Sequence, residues 1–181
     1  MRKLIAGAFV TLDGVVQDPG GFGELDQGGW ALGHFDEAAR DQATAALLNS
    51  DTFLLGRATF DVIEKAWSQN TGPYAEAMTA IPKLVVSRTL RGPLSWNAQA
   101  LTGEAAETVR ELKQGPGGDI VMYGSFTLMR TLIQHKLLDV LNLGVHPVTV
   151  GEGKRLAEGL KLDLMETTTS KTGVVTLTYA A

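Results

Sequence analysis

The sequence predicts an α/β fold built on a mostly parallel sheet with an antiparallel hairpin at its carboxyl-terminal edge. Three observations carry that expectation. Short apolar runs alternate with segments of helical periodicity as far as about residue 147, two alternating segments follow with no helix between them, and glycine stands at two handovers from strand to helix. At 181 residues the chain is expected to form one domain, 1–181.

Lys3 to Val10 reads as the first strand, closed by Thr11-Leu12-Asp13-Gly14, in which Asp-Gly is a turn signal. The same residues superficially resemble the start of a signal peptide. Thr11 and Asp13 end the apolar run too early for that, and a buried strand explains it better. From Asp18 to Gly33 six glycines are interspersed with Phe22 and Trp30, the composition of a binding loop or lid. Phe35 to Asn49 carries Phe35, Ala39, Ala43, Ala46 and Leu47 at helical spacing, with Asp36 and Glu37 in the first turn, where the helix dipole favours acids. Asp51 to Gly56 reads as a strand and Arg57 to Trp67 as a helix; Ile81-Pro82 breaks the chain before the strand Lys83 to Ser87. Trp96 to Leu101 is a short strand candidate, Thr102 to Gln114 a helix ended by Gly115-Pro116-Gly117-Gly118, and Ile120 to Tyr123 a strand. Phe126 to His135 follows as a helix and Asp139 to Val145 as a strand. Leu162 to Thr168 and Val174 to Tyr179 form the expected hairpin, turning at Ser170-Lys171-Thr172-Gly173.

Composition narrows the function. Sixteen Lys and Arg against twenty Asp and Glu give a net charge of −4, which argues against a sequence-independent nucleic-acid binder. No apolar run approaches the roughly 18 residues of a membrane span, so a cytoplasmic protein is expected. With no cysteine, disulfides, thiolate metal sites and a cysteine nucleophile are excluded. Glycine is in excess, 21 of 181 residues or about 12 % against an average near 7 %.

Two strand-to-helix junctions use that glycine where it has chemical meaning: Leu55-Gly56-Arg57-Ala58-Thr59 and Tyr123-Gly124-Ser125-Phe126. Free N–H groups and the positive end of the helix dipole make an anion site there, and glycine lets a phosphate approach. Two such sites suit a dinucleotide. Arg57 adds a fixed charge, Thr59 and Ser125 add hydroxyls, and Ser87-Arg88 at a strand's carboxyl end suits a ribose 2′-phosphate. The competing reading is that each glycine only permits a tight turn. No G-x-G-x-x-G follows the first strand, Gly151-Glu152-Gly153-Lys154-Arg155 fails as a P-loop, and Ser125 lacks the glycine of a nucleophile elbow. His34, His135 and His146 show no i, i+4 pairing, so no helical metal site is expected; His146, before Pro147, reads as a strand end.

In this order, Thr11-Leu12-Asp13-Gly14, Leu55-Gly56-Arg57-Ala58-Thr59-Phe60, Val86-Ser87-Arg88, Gly117-Gly118-Asp119 to Gly124-Ser125, and His146-Pro147-Val148-Thr149-Val150-Gly151-Glu152-Gly153 resemble the dihydrofolate-reductase-like family that includes the reductase domain of bacterial riboflavin biosynthesis. The resemblance implies a three-layer α/β/α fold with about eight strands, NADPH across the strand ends, and a homodimer. On it, Gly56, Arg57 and Thr59 meet the phosphates and Ser87 and Arg88 the 2′-phosphate. Gly124, Ser125 and Phe126 meet the pyrophosphate and nicotinamide side, and Asp13 and Gly14 lie near the nicotinamide beneath the glycine-rich loop. Folate reductases carry a helix acid that grips the pterin; here Gly28 to Asp36 replaces that stretch, and Asp36 is either the acid's counterpart or a first-turn helix acid.

The expected function is therefore NADPH-dependent reduction of a small heterocyclic or carbonyl-like substrate, with the proton from water or Asp13 and with Phe22, Trp30 and Asp36 as substrate-binding candidates. Two other classes stay open: a nucleotide-binding module or sensor without turnover, and a purely structural or interaction domain.

Overall fold

The computed structural model describes residues 1–156 and 159–181. Nine strands form one sheet: β1 (Leu4–Thr11), β2 (Ser50–Gly56), β3 (Lys83–Ser87), β4 (Pro93–Leu94), β5 (Ala98–Thr102), β6 (Asp119–Tyr123), β7 (Val140–His146), β8 (Asp163–Thr169) and β9 (Val175–Ala180). Their spatial order is β4-β5-β3-β2-β6-β1-β7-β9-β8. The run from β5 to β7 is parallel, while β4 and the β8–β9 hairpin add antiparallel edges.

Five α-helices cover the two faces: α1 (Glu37–Leu48), α2 (Arg57–Trp67), α3 (Pro73–Ala80), α4 (Ala105–Gln114) and α5 (Phe126–Gln134). On one face Leu4, Ala6, Leu54, Ile120 and Met122 pack with α4 and α5 through Val109, Met129 and Leu132. On the other, Phe53, Leu55, Val85 and Val121 pack with Leu47, Phe60 and Met78 of α1, α2 and α3. Central strands are buried on both sides, which is why Thr52 to Leu55 read as a continuous apolar run rather than an alternating one.

Several elements differ from the sequence reading, the two-residue edge strand β4 being one that it did not anticipate. The helix α3 is unanticipated; Gly72 at φ 98° and Pro73 at its first position start it. The strand expected at Trp96 begins at Ala98, because Trp96 and Asn97 both turn through positive φ. The helix expected from Thr102 starts at Ala105, once Glu104 caps it by accepting from the Ala106 N–H.

The amino-terminal edge of the sheet is tied by charge. Arg2, 8 % exposed, pairs with Asp51 and donates to Gly118 O at 2.7 Å and Thr52 Oγ1 at 2.6 Å. Lys113 pairs with Asp139 and donates to Leu137 O. The carboxyl-terminal edge is left open.

Candidate active site

Outside those carboxyl ends lies a cleft of about 2280 Å³, well beyond the roughly 300–1,000 Å³ of a single small-molecule site. It sits where the winding reverses: α1 leads from β1 toward β2, whereas α5 carries the chain across β1 to β7. Gly56, Ser87, Thr102, Tyr123 and His146, all at strand ends, line it.

The two glycine junctions meet in its wall. Gly56 caps α2, and its N–H donates to Ser125 Oγ at 2.9 Å; Thr59 Oγ1, in the first turn of α2, accepts from the Ser125 N–H at 3.1 Å. Each junction is therefore held by the other's hydroxyl. Gly124 (φ 60°) and Ser125 (φ 52°) both turn left-handed to start α5, and a Cβ on Gly124 would stand 3.3 Å from Thr59 Cγ2. Only glycine takes that turn without strain beside so close a neighbour. The first N–H groups of α2 and α5 have no intrahelical acceptor, so two donor sets with their dipoles line one wall. Phe126, in the first position of α5, also lines the cleft.

Positive charge gathers on the same rim. Arg57, about half exposed, holds Asp61 through Nε at 2.7 Å, and Arg88 and Arg91 follow β3. Ser87 Oγ accepts from the N–H groups of Thr89 and Leu90 at 3.2 and 3.1 Å, so this buried hydroxyl shapes the turn that presents Arg88.

At the end of β1 the sequence-expected residues scatter. The Asp13 carboxylate accepts from Thr11 Oγ1 at 2.5 Å and from the Gly151 and Val150 N–H groups at 2.7 and 3.3 Å, tying the turn after β1 to the 148–151 loop. It does not line the cleft. The Thr11 hydroxyl first, then the Gly151 N–H, hold its carboxyl below the ordinary value, the opposite of what a proton donor needs. Gly14 lies beside Arg155 at φ 83° and is likewise outside. Trp30 donates from Nε1 to Gln17 O at 2.8 Å and anchors the glycine-rich loop without lining the cleft. Phe22 lines it, half exposed. Asp36 lines it too, but its carboxylate caps α1 by accepting from the Ala39 N–H at 2.9 Å.

Other cleft residues escape sequence reasoning. The stripe of α1 turns Ala39, Ala43 and Ala46 toward the cleft, and only Leu47 is buried in the core. Opposite lie Phe9, Phe35, Tyr74, His34 and His146. Phe35 meets Tyr74 edge-on at 5.8 Å, and Phe9 meets His146 at 4.9 Å. Burial foremost, with His34 beside it, holds the His146 ring below its ordinary pKa against the pull of Gly144 O. The position before Pro147 carried a signal for a strand end only; that the strand delivers the ring into the cleft depends on pairing with β1 (Thr11↔His146).

A nine-stranded sheet, helices on both faces and a broad cleft at the strand ends define a fold of the dihydrofolate-reductase type. The chain belongs to the RibD C-terminal domain family, whose profile matches residues 2–176. The uncharacterized protein YyaP of Bacillus subtilis is 34 % identical over 188 residues, covering 98 % of this chain and 94 % of that one. A putative riboflavin biosynthesis protein from Shewanella sp. PV-4 superposes with a TM-score of 0.69 at 17 % identity, covering 98 % of both chains. Dihydrofolate reductase from Enterococcus faecalis, complexed with NADP(H), superposes with a TM-score of 0.61 at 17 % identity, covering 98 % of this chain and 95 % of that one. At such identities the likeness to solved structures is one of fold. Among the described residues no helix is long and apolar enough to cross a membrane.

Proposed function

We propose that this protein is an NADPH-dependent reductase of a small heterocyclic or carbonyl-like substrate. The observation that carries the reading is the wall of the cleft in which two helix N-termini, laced through Ser125 and Thr59, stand beside Arg57, Arg88 and Arg91. Backbone N–H groups of α2 and α5 would hold the pyrophosphate, with Gly56 and Gly124 allowing close approach and Arg57 neutralising charge. Arg88, presented by the Ser87 turn, would hold the 2′-phosphate, and Phe126 the nicotinamide side. When bound, NADPH supplies a hydride; the chain supplies placement and exclusion of water. Phe22 and the loop anchored by Trp30 cover the site, and Asp36 holds the start of α1 over it. With Asp13 turned away, the proton comes from water in the cleft. A homodimer is proposed with the reductase.

Titration with NADPH, followed by fluorescence, tests the reading. Binding weakened roughly tenfold in Arg57→Ala, the loss of one charge-assisted contact, is expected. No binding at millimolar cofactor, or unchanged affinity in that variant, overturns it. Binding without substrate-dependent oxidation across pterins, pyrimidines and quinones points instead to a nucleotide-binding module without turnover.

A further inference from the structure

We infer that His146 determines specificity in the substrate half of this cleft, its Nε2 accepting a hydrogen bond from an N–H or O–H group of a flat substrate seated beside Phe9 and Phe35. The inference rests on the reductase reading and names what that reading leaves open, the group that orients the substrate.

His146 ends β7 beside the central strand and is 2 % exposed, yet it lines the cleft. Its Nδ1 lies 2.9 Å from Gly144 O. A carbonyl only accepts, so Nδ1 carries the hydrogen, and in the neutral ring Nε2 presents a lone pair. No described residue bonds Nε2, and no buried side-chain nitrogen or oxygen among the described residues lacks a partner. Nε2 is thus left without a described partner on a residue that lines the cleft. Phe9, Trp30 and His34 hem the ring in at 4.9, 5.2 and 5.6 Å, the last two nearly perpendicular to it. Two of these are themselves fixed, Trp30 by Gln17 O and His34 by Thr172 O at 3.0 Å. A histidine that serves only packing needs no open nitrogen; this one has its plane and tautomer set and a single acceptor without a described partner, on a residue that lines the cleft. Such a group rejects an analogue without a donor, since the acceptor then stays unpaired on a surface from which the analogue has excluded water.

The test uses the full chain saturated with NADP+, which permits binding without turnover, and two probes, lumazine and 1,3-dimethyllumazine; the second lacks the N–H groups. Lumazine is expected to bind roughly tenfold more tightly, the worth of one hydrogen bond, and to shift the His146 Nε2 resonance where dimethyllumazine does not. His146→Phe keeps a flat ring without the acceptor and erases the preference; His146→Gln retains part of it and serves if the first variant fails to fold. An equal preference in His146→Phe, an unmoved Nε2 resonance on lumazine binding, or no lumazine binding by the NADP+ complex overturns the inference and leaves the reductase reading standing. Absence of NADP+ binding by the unmodified chain removes both.

Discussion

Gly124 is a residue at which the cleft wall tolerates little change. Alanine there meets a left-handed φ of 60° and the Thr59 methyl at 3.3 Å. Gly124→Ala is expected to lose about 1–2 kcal/mol of stability, measured by denaturant unfolding, together with NADPH affinity. Arg88→Ala makes a different statement: NADPH binding falls toward that of NADH, so the ratio of the two affinities is the readout, and a ratio unchanged from the parent chain rules out the 2′-phosphate assignment. Lys83 does not line the cleft and is 1 % exposed, with Nζ donating to Ile81 O at 2.9 Å and standing 4.3 Å from the Trp96 ring centre. Burial lowers its pKa from 10.5 to about 8. The unfolded chain then binds more protons between those values, so stability rises with pH through that window, by roughly 3 kcal/mol. Burial also pushes Tyr123 up to about 12, a contribution lost as pH rises above 10, so unfolding should be compared between pH 7.5 and 9.5. Lys83→Met should flatten that slope. At this scale the sequence reveals residue type but not aim: Gly56, Arg57 and Gly124 all line the cleft, whereas Asp13 faces a loop that is 137 residues away along the chain.

Helix α1 is the element whose reading changed most. Its alanine stripe has the spacing of a core helix, but those small side chains form one side of the cleft, a distinction that periodicity cannot make because an apolar stripe suits either surface. Asp36→Ala should cost about 1 kcal/mol through the lost cap, while Asp36→Asn, which still caps, should cost little. If Asp36→Asn unfolds like the parent chain yet loses substrate-dependent NADPH oxidation, the carboxylate touches substrate as well as capping the helix. The strands were the most legible elements, since β2, β3 and β6 are apolar runs bounded by glycine, proline or serine. By contrast α3 had only Gly72-Pro73 to announce it, and its core contacts through Ala77 and Met78 are made within a cluster shared with α1 and β3.

The whole molecule is asymmetric along its strands, bound by Arg2–Asp51 and Lys113–Asp139 at one edge and open at the other. It is asymmetric across them too. β8 has every residue exposed, Leu164 and Met165 among them, and it forms one border of the sheet with no lysine or proline to guard it. A homodimer built on that border predicts that Met165→Lys shifts the chain from dimer to monomer in light scattering; a parent chain already monomeric at micromolar concentration excludes it. The lacing of the two junctions reaches furthest. Because Ser125 Oγ holds the Gly56 N–H and Thr59 Oγ1 holds the Ser125 N–H, loosening one helix start removes a bond from the other. These two amides, 69 residues apart, are expected to share one opening event, and their hydrogen exchange should quicken in step in Thr59→Val, as though the cleft wall were a single hinge pinned from both sides.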